Sequence, residues 1–221
     1  YMKALVIGAT GATGKNLVEV LLNNEQYSEV HIFVRKSFGY SNSKLKEHIV
    51  DFNHPESWKD LVQGDVAYSC MGTSLKAAGS KEAQRLVDFN YQYDFAKSAN
   101  ENGVKDYVLV SAYGANTNSL LFYQKLKGEL EDVVKKLPFK RTIIFQPGIL
   151  ERENSNRIGE IIFDKAIKFV NALGLFKKYK PMPTRVLATA MVYSLETQPR
   201  GISVIKLDDI FSVAKHAEMR S

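Results

Sequence analysis

Gly8-Ala9-Thr10-Gly11-Ala12-Thr13-Gly14 follows the apolar run Lys3–Gly8 and precedes Asn16–Asn24, where Leu17, Val18, Val20, Leu21 and Leu22 mark a helix. This strand, glycine turn and helix narrow the fold more than any other feature of the chain. A short, continuously apolar run reads as a strand buried on both faces, as in a parallel sheet. The glycines let backbone approach an anionic group without Cβ obstruction, and the helix start aims free N–H groups at it. Gly8 and Gly11 permit the tight turn and close approach, and Gly14 permits close packing of helix on strand. The G-x-x-G-x-x-G spacing departs from the G-x-G-x-x-G fingerprint. Position therefore carries the reading of the turn as a pyrophosphate cradle.

The alternation continues along the chain. Strands are expected at Val30–Val34, Glu47–Phe52, Asp65–Cys70, Asp106–Ser111 and Arg141–Phe145. Helices are expected at Pro55–Leu61, at Lys81–Asn102 ahead of Gly103, and at Leu120–Lys136 ahead of Pro138. Such alternation implies an α/β fold, a doubly wound parallel sheet with helices on both faces. The pattern loosens after Gly148: Glu160–Leu173 and Thr184–Glu196 read as helices and Ile202–Leu207 as a late strand. No linker or repeat interrupts the chain, so residues 2–221 are read as a single domain. Residues about 150–185 form a small C-terminal cap over the substrate. The apolar stripe running from Ile161 to Phe176 is assigned to core or lid.

The end of the second strand selects the dinucleotide. NAD sites usually place an acidic residue there, to bind the ribose 2′-hydroxyl. Arg35-Lys36 stand in that place, and a guanidinium suits a 2′-phosphate through paired, charge-assisted hydrogen bonds. NADP is expected over NAD. Asp51-Phe52 would flank the adenine, and Met71-Gly72-Thr73 would approach the nicotinamide ribose.

Tyr123 and Lys127 are four apart on one helix face, the Tyr-x-x-x-Lys arrangement of a carbonyl reductase. Tyrosine passes the proton; lysine holds the ribose and favours the tyrosinate. Tyr40/Lys44 and Tyr93/Lys97 share the spacing. Only Tyr123 begins near the carboxyl end of the fifth strand, where open α/β sheets place ligands.

The glycine turn, Tyr123/Lys127 and Pro147-Gly148 together resemble the short-chain dehydrogenase/reductase superfamily in its extended or atypical branch. Within it the chain is similar to the Tat-interacting oxidoreductase-like proteins. The likeness rests on GATGATG, FVRK, VDF, CMGTS, LVSAYGAN, FYQKLKGELE and FQPGIL, from Lys3 to about Leu150. It implies a Rossmann fold, with NADP held by the glycine turn, Arg35, Lys36, Asp51, Phe52, Gly72 and Thr73. It also implies Tyr123 as proton acceptor, Lys127 on the ribose, and main chain around Pro147, Gly148 and Ile149 near the carboxamide. Asn90 corresponds to a helix position of the superfamily. One departure stands out. The superfamily adds a Ser or Thr just beyond the fifth strand to polarise the carbonyl, but here Ser111 is followed by Ala112-Tyr113-Gly114. Ser111 or Tyr113 is left to supply that hydroxyl.

The first reading is an NADP-dependent oxidoreductase acting on a small carbonyl or alcohol. The alternatives are an NADP-binding regulator or scaffold with little catalysis, and a nucleotide-sugar epimerase or dehydratase. The net charge of +6 is spread among acidic residues, so a nucleic-acid partner is not expected. A homodimer or protein partner is left open. His31, His48, His54 and His216 show no metal-ligand spacing with Cys70 or one another, and no metal is expected. Cys70 reads as an inert buried thiol. One cysteine, no apolar run of membrane-spanning length and no signal-peptide pattern set the expectation of a cytoplasmic protein.

Overall fold

The computed structural model describes residues 1–151 and 181–219. A seven-stranded sheet organises them. Its strands are β1 (Met2–Ile7), β2 (Tyr27–Val34), β3 (Leu45–Ile49), β4 (Val66–Ser69), β5 (Asp106–Val110), β6 (Arg141–Gln146) and, later in the chain, β9 (Gly201–Lys206). The spatial order is β3-β2-β1-β4-β5-β6-β9, and every pairing is parallel. Leu150–Glu151 (β7) and Met182–Pro183 (β8) pair separately. One ligand-sized feature follows from this order. The chain winds outward through β2 and β3, then crosses back to β4, so a switch point opens between β1 and β4.

Parallel pairing buries both faces, and β1 shows how. Ala4 and Val6 enter one core cluster with Leu17, Val18 and Leu21 of α1 (Ala12–Asn23). Leu5 and Ile7 enter the other, with Phe95, Ala96 and Leu130. The helices thus divide between the faces. On the first face α1 packs with two later helices, Thr184–Thr197 and Asp208–Glu218. On the second lie helices Tyr91–Glu101 and Phe122–Lys135. Trp58, 1% exposed, fills the second cluster between Phe33 and Phe52, with ring centroids 6.4 and 5.7 Å away.

Helix numbering runs α1, α2 (Leu75–Ala78), α3 (Lys81–Arg85), α4 (Tyr91–Glu101), α5 (Phe122–Lys135), α6 (Thr184–Thr197) and α7 (Asp208–Glu218) among the described residues. Two differences from the expected elements have physical causes. The third strand pairs over Leu45–Ile49, not Glu47–Phe52. It is an edge strand whose only neighbour, β2, ends at Val34 opposite Ile49, and the chain then turns Phe52 inward (3% exposed). The long helix expected at Lys81–Asn102 is interrupted by a π turn at Leu86–Asn90. One wide turn leaves the apolar periodicity almost unchanged, so no pattern announces it. Ser74 and Ser80 cap α2 and α3, accepting from the N–H groups of Ala77 and Ala83 at 3.1 and 3.0 Å. Helix α2 and α7 were not foreseen. The expected helix at Glu160–Leu173 and most of the cap lie outside the described residues.

Candidate active site

The glycine turn leaves β1 at the switch point. Gly8 adopts φ +78°, a left-handed backbone that a side chain would strain. A Cβ there would also meet the Met71 nitrogen at 2.4 Å. At Gly14 a Cβ would fall 1.8 Å from the Gly8 carbonyl oxygen, so α1 touches the turn where only glycine fits. Gly11 stands at the N-cap of α1, and no side chain of the turn caps that terminus. No acidic residue occupies the first turn of the helix. The partial positive end of α1 is therefore offered to a ligand.

A cleft runs along the carboxyl edge of the sheet from this turn. One half, a cavity of about 470 Å³, includes Gly8, Thr10, Gly11, Arg35, Phe52 and Tyr91 in its walls. Phe52 and Tyr91 stack there, with centroids 5.5 Å apart and planes 28° apart. The other half, about 600 Å³, includes Ala12, Thr13, Ser111, Tyr123, Lys127, Pro147 and Gly148. Gly11, Cys70, Met71, Gly72 and Thr73 line both, so the two halves form one groove across the switch point. Gly14 lies buried beneath it. Lys36 and Asp51 are exposed beside it, and Ile149 is outside the lining. Asp51 is engaged locally, accepting from the Asn53 N–H at 2.9 Å.

The second half gathers the reactive groups. The Ser111 hydroxyl is buried and has no hydrogen-bond partner among the described residues. Its backbone N–H donates to the Phe145 carbonyl at 2.7 Å, and Tyr113 N–H to that of Pro147 at 3.0 Å. This binds the loop after β5 to the loop after β6 and leaves the Ser111 side chain in the cleft wall. Tyr123 is 38% exposed at the start of α5. The Lys127 ammonium lies 5.6 Å from its ring centroid, on the same helix face.

Lys127 is 3% exposed and makes an ion pair, 2.9 Å, with Asp88 of the π turn, which is wholly buried. Burial pulls the lysine pKa down. The negative ends of Tyr123, Asp88 and Glu131 outweigh it and hold the ammonium above the usual lysine range. The second Asp88 oxygen accepts from the Thr73 N–H at 3.2 Å. Asn90, singled out by the superfamily resemblance, is exposed, and Asp88 two residues earlier meets the lysine. Gln84, Tyr91 and Thr184 also line the cleft and carried no sequence signal. Cys70 lines it too, but burial pushes its thiol up to about 12, so little thiolate exists near neutrality.

The sequence profile of the NAD(P)H-binding family matches residues 8–170. Relatives include the mitochondrial protein FMP52 of Meyerozyma guilliermondii, 33% identical, covering 92% of this chain and 91% of that one. The mitochondrial FMP52 of Eremothecium gossypii is 31% identical, over 97% and 98% of the two chains. Among solved structures, a short-chain dehydrogenase/reductase superfamily protein from Agrobacterium tumefaciens with bound NAD has a TM-score of 0.69 at 15% identity. It covers 97% of this chain and 81% of its own. UDP-glucose 4-epimerase from Thermotoga maritima has a TM-score of 0.68 at 13% identity, over 97% and 82%. Those two likenesses concern the fold.

The relatives' names overturn the cytoplasmic expectation and point to a mitochondrial location. A low cysteine count and the absence of long apolar runs suit any reducing aqueous compartment, so they could not separate the two. Among the described residues no helix is long and apolar enough to cross a membrane. With the glycine turn, the switch-point cleft and these relatives in view, the chain belongs to the NAD(P)H-binding family and has the Rossmann fold of the short-chain dehydrogenases/reductases and epimerases.

Proposed function

We propose that the protein is an NADP-dependent oxidoreductase that moves a hydride to or from a small carbonyl or alcohol, with Tyr123 giving or taking the proton. One observation carries this reading. Ser111, Tyr123 and Lys127 share one half of a groove whose other half joins the glycine turn to Arg35. The residues suit a dinucleotide. The α1 terminus is uncapped by side chains, a Cβ at Gly8 or Gly14 would close the cradle, and Phe52 with Tyr91 supplies a flat wall for a base. Arg35 and Lys36 would take the 2′-phosphate. Main chain at Pro147, Gly148 and Ile149 would face the carboxamide.

The bound dinucleotide supplies hydride chemistry at its nicotinamide ring. In the reducing direction the Ser111 hydroxyl donates to the substrate carbonyl oxygen, a partner its buried Oγ otherwise lacks. Tyr123 delivers its phenolic proton to the same oxygen as the carbon gains hydride. Lys127 holds the ribose and favours the phenolate left behind. Residues about 150–185, read as cap elements of the same domain, would choose the substrate. The unpartnered Ser111 hydroxyl weighs against a purely regulatory role.

The test is NADPH consumption against a panel of aldehydes, ketones and quinones. Turnover is expected, and Tyr123→Phe should lower kcat by about 10²–10⁴ while NADPH still binds. Full turnover in that variant overturns the proton-transfer role. No turnover across the panel, with NADPH bound tightly, favours the sensor reading.

A further inference from the structure

Asp88 has no part in the steps above, yet it is a wholly buried charge directly behind Lys127 of the cleft wall. It is wholly buried, its Oδ1 lies 2.9 Å from the Lys127 ammonium, and its Oδ2 takes the Thr73 N–H. Thr73 is fixed from its other side, since its carbonyl accepts from Gln84 Nε2 at 3.3 Å. Apart from Lys127, Oδ1 has no partner among the described residues. The other groups facing Lys127 are Tyr123 and Glu131, both on α5. Glu131 is already engaged by Gln146 Nε2 at 2.8 Å and by Lys135 at 3.2 Å. The Lys127 charge is therefore met at ion-pair distance by Asp88. The pair stands where the catalytic half of the groove begins, because Thr73 and Lys127 both line that half.

We infer that Asp88 balances charge for the bound dinucleotide: by cancelling the Lys127 ammonium, it sets how tightly the positive, oxidised nicotinamide is held relative to the neutral, reduced one. This rests on the NADP reading above. An unbalanced lysine would repel the oxidised ring and leave the reduced ring unaffected. Between charges a few ångströms apart, at an effective dielectric of roughly 20, that difference reaches about tenfold or more in affinity.

The test is calorimetric binding of NADP⁺ and NADPH near pH 6, where a lysine stays charged, to wild type and three variants. Asp88→Asn keeps the shape and removes the charge, and its carbonyl oxygen can serve either the Thr73 N–H or the Lys127 ammonium. The ratio Kd(NADP⁺)/Kd(NADPH) should rise about tenfold. Lys127→Met should lower the ratio, because it leaves Asp88 unopposed. Its lost ribose contact weakens both ligands alike and cancels in the ratio. The double variant should restore the wild-type ratio. A ratio unmoved in both single variants, or moved the same way by both, overturns the inference even though NADP binds. Failure of wild type to bind either ligand overturns the cofactor reading and this one with it. Should Asp88→Asn fail to fold, the direction of the Lys127→Met shift decides.

Discussion

Arg35 follows directly on β2 and lines the groove, and the proposed preference for NADP turns on it. One charge-assisted hydrogen bond contributes about 1.5–3 kcal/mol, so a guanidinium on the 2′-phosphate favours NADPH over NADH by roughly 10- to 100-fold. Arg35→Ala should remove most of that preference, with NADH affinity little changed. Side-by-side calorimetry of NADPH and NADH checks it, and equal affinities in wild type would remove the basis for assigning NADP. Residue chemistry named Ser111, beside Tyr113, as a candidate for the carbonyl-polarising hydroxyl. The buried, unpartnered Ser111 hydroxyl became visible only when the loops after β5 and β6 were seen to bond each other. Asp88 was not legible. Nothing in Val87-Asp88-Phe89 marks a carboxylate that will be wholly buried against a lysine some forty residues away.

At the scale of elements, the junction of β1 and α1 carries the densest constraint. The 1.8 Å approach of a Cβ at Gly14 to the Gly8 carbonyl means that helix and turn cannot separate without moving the phosphate cradle. Gly14→Ala should destabilise the fold by about 1–3 kcal/mol, as overpacking does, and weaken NADPH binding beyond that loss. Urea unfolding and calorimetry read the two effects separately; unchanged stability would mean the helix shifts freely. The glycine spacing announced this junction because a backbone clash is a local matter. The π turn at Leu86–Asn90 is the contrary case. Its burial pattern continues that of α3 and α4, and the advantage of one widened turn lies in aiming Asp88 at α5. That advantage depends on a partner from elsewhere in the chain.

Across the whole molecule, the groove is built from loops after β1, β2, β4, β5 and β6, each anchored at the carboxyl end of a parallel strand. A ligand bridging them should stabilise the fold by mass action. At a hundred times its Kd, NADPH adds about 2.7 kcal/mol, a rise in Tm of about 5–10 °C for a chain of this size. Thermal unfolding with and without NADPH measures it, and an unmoved Tm at saturation would argue against the groove as the binding site. By itself the sequence determined the parallel sheet, the helices on both faces, the glycine turn between β1 and α1, and the shared helix face of Tyr123 and Lys127. Each of these follows from periodicity, glycine sterics or helical spacing, all local properties of the chain. Tertiary structure alone decided where the edge strand β3 ends, which carboxylate meets Lys127, and that Ser111 lies in the cleft wall. Those outcomes depend on which distant segments become neighbours, because pairing length, buried charge and orphaned hydroxyls are properties of two surfaces in contact.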